Sequence, residues 1–460
     1  MIPLTLEEIA EITGGRLAHA RGTEVVTGGV EFDSRKVRPG GLFVAFAGAV
    51  ADGHEFAGKA IADGAVAVLG TRAVPDVPMV LVDDPRDGMS RLARFVVDRL
   101  SASGLTVVAL TGSSGKTTTK DLLARVLSRG GPTVATEGSL NNELGTPYTA
   151  LQATPETRFL VVEMGARGIG HLRYLCDIVP PHVSVEINVG VAHIGEFGSV
   201  EAVATAKAEL VEALRPDGLA VLNADDPRVR AMATRTRARV VLAGEAPDAG
   251  YRAEDVAATE RGLYQYTLKK QPIKLAAAGR HQVGNSVLAA AVAAELGVDL
   301  AEVAAALADP RPLSSRRMDV FDRADGVTVI DDSYNANPGS MAAALRALVG
   351  IAGGRRTVAV LGWMAELGDY EQSGHEEVGR LAAQLGVDRV VAVGEPAAPI
   401  EQGAAAVASW GGSSVLVTDQ PAAIALLRDE LRPGDVVLVK GSRYRTWDVV
   451  DALRAQDAAA

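Results

Sequence analysis

Between an apolar, β-branched run, Leu105–Leu110, and a helix-forming stretch reaching about Arg129 lies Thr111-Gly112-Ser113-Ser114-Gly115-Lys116-Thr117-Thr118-Thr119. Glycines at a strand-to-helix junction let backbone N–H groups converge on phosphate oxygens, and the helix start adds its dipole. Lys116 is placed to reach β/γ-phosphates, and Thr117 to offer its hydroxyl to Mg²⁺. The predicted ligand is a nucleoside triphosphate, contacted by Gly112, Ser113, Ser114, Gly115, Lys116, Thr117 and Thr118. The general spacing of such loops puts a glycine where this chain has Leu110. The loop alone does not say what is done with the triphosphate.

Other residues could share that chemistry. Glu163 ends the apolar run Phe159–Val162, and a carboxylate at the carboxyl end of a strand beside the phosphate loop is placed to hold Mg²⁺. His193 follows the run Val183–Ile187 and a glycine-containing turn. Hard cations prefer oxygen, so residue chemistry favours a hydrogen-bonding histidine there over a metal ligand. Lys207, within Ala204–Leu210, reads from spacing as a solvated lysine on a helix. Asn141-Asn142-Glu143-Leu144-Gly145-Thr146-Pro147 reads as a polar turn. Ser34 and Arg35, followed by Asp52-Gly53-His54, form a basic loop leading into a strand, either an anion site or a solvated charge run.

These side chains need a scaffold. At 460 residues the chain is long enough for about three domains of roughly 100–200 residues each. We place them at 1–103, 104–311 and 312–460, with Ser101–Gly104 as a linker. Thr5–Thr13 predicts an amphipathic helix closed by Gly14-Gly15. The middle unit predicts strands at Leu105–Leu110, Phe159–Val162, Val183–Ile187, Leu219–Leu222 and Val240–Leu242, and Ala-rich helices over Val287–Ala308 with a break near Gly297. The last unit predicts strands at Val327–Ile330, Val358–Leu361, Val390–Val393, Val415–Val417 and Val436–Val439. Strands alternating with helices predict an α/β fold: a central P-loop domain with a mainly parallel sheet and a C-terminal Rossmann-like, doubly wound domain.

Composition narrows the function classes. Hydrophobic residues are 48% and charged residues 22%, as in ordinary globular domains. A net charge of −11 without a basic stripe argues against a nucleic-acid partner. The single Cys176 fits a reducing compartment, and the opening residues show no basic, apolar export signal. No run approaches the roughly 18 apolar residues of a membrane span. A cytoplasmic monomer is expected.

Thr-Gly-x-x-Gly-Lys-Thr-Thr without the earlier glycine resembles the variant phosphate loop of the Mur ligase family, whose members join a carboxylate to an amine using ATP. Asn188-Val189-Gly190-Val191-Ala192-His193 resembles the family segment whose histidine binds magnesium. The resemblance implies a metal set of Thr117, Glu163, His193 and a carbamylated Lys207, with two Mg²⁺ ions, and makes Lys116, Glu163, His193 and Lys207 the catalytic group. A carbamate requires a neutral amine, hence a lowered pKa. The resemblance further implies that Asn141 and Asn142 face the γ-phosphate and acceptor side. Asn285, in Gly279-Arg280-His281-Gln282-Val283-Gly284-Asn285, would contact adenine, although Gln282 replaces the usual asparagine. Arg317 would reach the nucleotide phosphates, with Arg316 a competing assignment, and Asp332 the ribose.

Asp332-Ser333-Tyr334-Asn335-Ala336-Asn337-Pro338, Met364-Ala365-Glu366-Leu367-Gly368 with His375, and Lys440-Gly441-Ser442-Arg443 resemble the D-alanyl-D-alanine-adding branch of the family. That resemblance implies two small-molecule partners, UDP-MurNAc-tripeptide and D-Ala-D-Ala. It places Ser34, Arg35, Asp52, Gly53 and His54 on the uridine diphosphate, and Asn335 and Asn337 on substrate. The third residue of the tripeptide is left open. The rival readings are another amide ligase of the superfamily and a P-loop nucleotide switch.

Overall fold

The computed structural model describes every residue except 49–50, 192–193, 312, 443–444 and 459–460. Strands alternate with helices along the chain and collect into three main sheets.

The central sheet has nine strands. Thr106–Thr111 lies inside it, between Phe159–Glu163 and Val183–Glu186, both parallel to it. Its side chains alternate between two cores: Val107 and Ala109 join one, Val108 and Leu110 the other. A strand covered on both faces has no polar face to show, so its centre, Val107–Leu110, is wholly apolar. The sheet continues through Leu219–Asn223, Arg239–Gly244 and Tyr251–Ala258, and turns antiparallel at Tyr264–Leu268 and Gln271–Lys274. The Ala-rich stretch forms two helices, His281–Glu295 and Leu300–Leu307, with Gly297 at φ +84° between them.

The C-terminal sheet has the spatial order Asp319–Asp322, Thr328–Asp331, Val436–Lys440, Thr357–Gly362, Arg389–Val393, Ser413–Val417. Its first pair is antiparallel and the rest are parallel. Separate apolar clusters cover its two faces, which makes the unit doubly wound. In such sheets ligands bind beyond the carboxyl ends of the strands.

The N-terminal unit has a five-stranded sheet in the order Arg16–Ala18, Met79–Leu81, Ala67–Gly70, Leu42–Val44, Val30–Glu31. Its first helix, Leu6–Thr13, starts in a reciprocal cap between Thr5 and Glu8 and stops at Gly14, φ +69°. Helix Pro85–Ser101 then packs Met89, Leu92 and Val96 into one cluster with Val107 and Leu160 of the central sheet. The first two units therefore share an apolar core.

No described helix is long and apolar enough to cross a membrane.

Candidate active site

The phosphate loop closes against the next strand's carboxyl end. A Cβ on Gly112 would meet Ile187 Cβ at 2.9 Å, and Gly115 has φ +79° with Asn285 Oδ1 2.9 Å from where its Cβ would stand. Both positions need glycine. Asn188 staples the loop: its Oδ1 accepts from the Ser114 N–H at 2.9 Å and its Nδ2 donates to Ser114 O at 3.1 Å. Gly190 N–H donates to Ser113 Oγ at 2.8 Å. Lys116, first residue of helix Lys116–Leu127, donates to Gly112 O at 2.9 Å. Burial, and secondarily Arg317, lowers its pKa, while Glu163 opposes this.

Glu163 is buried at its strand end. Asn141 Nδ2 donates to its Oε1 at 2.6 Å, while Oε2 has no partner among the described residues. Thr136 Oγ1 accepts the Glu163 N–H at 3.0 Å. Asn142 Oδ1 accepts from the N–H of Gly145, first residue of the following helix, at 3.0 Å. Lys207 is also buried, on helix Val200–Glu212. Burial first, and the charge of Lys116 second, lower its pKa to about 7, against the pull of Glu186. Glu186 is fully buried, with both carboxylate oxygens unpartnered among the described residues, and burial drives its pKa well up. His193 lies outside the described residues.

The C-terminal unit forms the facing wall. Arg317 Nη2 donates to Thr117 Oγ1 at 3.3 Å and Ser139 Oγ at 3.2 Å, and its guanidinium sits 4.4 Å from the Tyr334 ring centroid. Arg316 turns away, onto Asp451 at 3.1 Å and Trp447 O at 3.4 Å. The two arginines thus have different partners. Asp332 accepts from the Met318 N–H at 3.2 Å and from the buried Lys440 at 2.5 Å. Asn337 Oδ1 accepts from Ser340 N–H at 2.9 Å, capping helix Pro338–Ala352, and its Nδ2 donates to Ser113 O at 3.4 Å. Buried His375 accepts from the Met364 N–H at 2.8 Å and so fixes the turn that presents Ala365 and Glu366.

Between these walls lies a cleft of about 700 Å³. Ser113–Thr118, Asn141, Asn142 and Glu163 line one side, with Asn285 beside the loop; Arg317, Asp332, Asn335 and Asn337 line the other. Asn285 donates to Gln282 Oε1 at 2.9 Å, so the substituted Gln282 orients it. Ser139, Asn188 and Lys440 are site residues to which sequence reading gave no individual role. Ser139 stands in an ordinary polar turn; the conspicuous signal at Lys440 is its place at the end of an apolar strand.

The predicted N-terminal residues stand apart from this lining. Arg35 pairs with Asp33 at 2.7 Å and its side chain is 82% exposed. Asp52 caps Gly53–Phe56 and binds Arg72 at 2.9 Å; its hydrogen bonds with His54 first, and then Arg72, hold its carboxyl well below the usual range. The His54 ring is buried, its Nδ1 2.6 Å from Asp52 Oδ1 and its Nε2 accepting from the Thr71 N–H at 3.0 Å. Both ring nitrogens are committed within the protein.

Chemically, the cleft offers backbone amides and a lysine for phosphates, oxygen donors for a hard cation, and a second wall on another domain. Three family descriptions match the chain: "Mur ligase family, catalytic domain" over residues 27–96, "Mur ligase middle domain" over 110–293 and "Mur ligase, glutamate ligase domain" over 316–443. A curated relative from Mycobacterium tuberculosis strain H37Rv, named UDP-N-acetylmuramoyl-tripeptide–D-alanyl-D-alanine ligase, is 46% identical over 99% of both chains. This chain belongs to the Mur ligase family. Among solved structures, this Mur ligase resembles UDP-N-acetylmuramoylalanyl-D-glutamyl-2,6-diaminopimelate–D-alanyl-D-alanyl ligase from Acinetobacter baumannii. That match has a TM-score of 0.82 and 28% identity over 100% of this chain and 99% of the other. It also resembles the MurF ligase of Thermotoga maritima, solved in complex with ADP, with a TM-score of 0.78 and 29% identity over 94% and 99%.

Proposed function

We propose that this chain is an ATP-dependent ligase that couples D-alanyl-D-alanine to UDP-N-acetylmuramoyl-tripeptide, giving the pentapeptide precursor of peptidoglycan. The observation that carries the reading is the full-length likeness to an enzyme of that name, across all three domains. Residues 1–103 bind the UDP-sugar, 104–311 bind ATP, and 312–460 bind D-Ala-D-Ala and close on the nucleotide. The enzyme works as a cytoplasmic monomer.

The tripeptide's terminal carboxylate attacks the γ-phosphorus of ATP, forming an acyl phosphate and releasing ADP. The neutral amine of D-Ala-D-Ala then attacks the acyl carbon. The tetrahedral intermediate collapses to the amide with loss of phosphate, and the amine's proton passes to solvent. The protein's contribution is positioning and charge stabilisation. Loop amides and Lys116 hold the triphosphate. Arg317, now on the hydroxyls of Thr117 and Ser139, is within reach of a phosphate oxygen placed there. Asn285 faces the base and Asp332 the ribose.

The residues fit Mg²⁺: Glu163 keeps one unpartnered buried oxygen, and Thr117 lines the same cleft. Two bound Mg²⁺ ions would neutralise the negative charge of the transferring phosphoryl group. Thr117, Glu163, His193 and, once carbamylated, Lys207 would hold them. An amine with a pKa near 7 is substantially neutral at cellular pH, so Lys207 can add CO₂, releasing one proton and becoming a carboxylate-like group. Asn141, Asn142, Asn335 and Asn337 hold the reacting ends of the two substrates. Ser34, Arg35, Asp52 and Gly53 meet the uridine diphosphate. His54 acts through Asp52, which it fixes.

Mass spectrometry of the product tests the reading. ATP, Mg²⁺, UDP-N-acetylmuramoyl-tripeptide and D-Ala-D-Ala should yield the donor mass plus the dipeptide minus one water. Unchanged donor with all substrates present would overturn it.

A further inference from the structure

Among the described residues lining the cleft, four are lysines or arginines: Lys116, Arg167, Arg317 and Lys440. Three are engaged. Lys116 donates to Gly112 O, Arg317 to Thr117 and Ser139, and Lys440 to Asp332. The Arg167 side chain has no hydrogen-bond or ion-pair partner among the described residues, and the residue is exposed.

Its backbone, by contrast, is pinned. The Arg167 N–H donates to His171 Nδ1 at 3.2 Å. The other ring nitrogen, Nε2, faces Glu143 Oε2 at 3.5 Å. Two residues earlier, the Gly165 N–H donates to Asn141 O at 2.8 Å. At the far end of the loop, Glu209 accepts from the N–H groups of Gly170 at 2.5 Å and Arg173 at 3.0 Å. A loop fixed at both ends sets the point from which the unpaired guanidinium reaches, and a guanidinium matches a carboxylate in two-point geometry.

The loop also lies on the approach from the N-terminal unit. It follows Glu163 and is tied to Asn141. The helix whose first N–H Asn142 accepts carries Tyr148, whose hydroxyl donates to Glu31 Oε2 of the N-terminal unit at 3.2 Å. Helix His171–Ile178, which the loop enters, meets helix Pro85–Ser101 where Arg94 donates to Asp177 O at 2.7 Å. A donor held by its uridine diphosphate in the N-terminal unit must extend its peptide past this side to reach Glu163.

We propose that Arg167 docks a non-reacting carboxylate of the donor tripeptide. The inference rests on the ligase reading above. In an alanyl-D-glutamyl-2,6-diaminopimelate peptide, as named for the Acinetobacter relative, the glutamyl residue keeps one free carboxylate and the diaminopimelyl residue has two. One of these three reacts. The others must be held away from the γ-phosphate, and an unpaired arginine beside the cleft does this by attraction.

Steady-state kinetics of Arg167→Ala and Arg167→Lys test the proposal, with the native donor and with a donor amidated at its non-reacting carboxylates. The expected result for R167A is a donor KM raised at least tenfold, with the KM values for ATP and D-Ala-D-Ala within twofold of wild type. R167K should recover part of the loss. Amidation should raise the wild-type donor KM to that of R167A and cost R167A nothing further. A folded R167A with wild-type donor KM, or one penalised equally by amidation, would overturn the inference alone. A wild-type enzyme inert with the native donor would overturn the ligase reading as well.

Discussion

Lys440 Nζ stands 2.5 Å from Asp332 Oδ2, where two neighbouring parallel strands of the C-terminal sheet end. The ammonium also donates to Asn335 O at 2.9 Å, so one buried lysine ties down both ends of the segment Asp332–Asn335. Desolvation lowers its pKa and the Asp332 carboxylate opposes that. Removing one partner of a buried pair leaves the other charge uncompensated, at roughly 3–5 kcal/mol. Lys440→Met should therefore lower stability by about that amount in urea unfolding and raise the KM for ATP. Adding Asp332→Asn should restore part of the stability; strictly additive losses would show that the pair is not coupled.

Arg316 and Arg317 are adjacent in sequence, yet face different partners. Arg317→Ala should reduce kcat/KM for ATP by roughly 10²–10³-fold, the loss typical of a preorganised charge at the reacting group. Arg316→Ala should leave ATP kinetics intact and cost under about 1 kcal/mol, since its pair with Asp451 is partly exposed. Interchanged phenotypes would reverse the assignment.

A carbamate on Lys207 would make the activity depend on CO₂ and pH. Its amine is protonated below about 7 and neutral above, so carbamate formation is favoured as pH rises through that value. Its folded pKa lies below the ordinary 10.5, so the unfolded chain binds more protons between about 7 and 10.5, and this group makes stability rise with pH across that window. Activity in CO₂-depleted buffer should fall and return with bicarbonate. Lys207→Ala should be nearly inactive and partly rescued by short carboxylates; full activity without rescue would remove the carbamate from the account.

The central and C-terminal units touch backbone to backbone. Gly195 N–H donates to Glu366 O at 3.3 Å, and a Cβ on Gly195 would stand 2.6 Å from Gly368 N. Gly368 has φ +55°. Gly195→Ala should prevent this approach, lowering kcat several-fold with little change in overall stability. Scattering profiles should show the variant more extended than the wild type in the presence of ATP analogue and donor; identical profiles would contradict a role in closure.

The sequence made the scaffold legible where strands are buried on both faces. Val107–Leu110 and Val436–Val439 are continuous apolar runs because no side of them meets water. The antiparallel end of the central sheet was not legible. Tyr251–Ala258 carries Arg252, Glu254 and Asp255 on a largely exposed strand, so no apolar run marks it. Within the site, Lys116 and Glu163 were readable because motif and strand end coincide. His54 shows the opposite limit: the family resemblance placed it in a binding segment, and only the fold turns its ring inward onto Asp52 and Thr71. Arg316 and Arg317 could not be separated by sequence, because the direction of each side chain is set by left-handed backbone at Arg316, φ +60°, and Met318, φ +52°.

Phosphate release from ATP tests the central claim most directly, measured with Mg²⁺ and UDP-N-acetylmuramoyl-tripeptide, with and without D-Ala-D-Ala. The account predicts sustained release only when the dipeptide is present, in one-to-one ratio with amide formed. Equal release without donor or dipeptide would contradict it and point to a nucleotide switch.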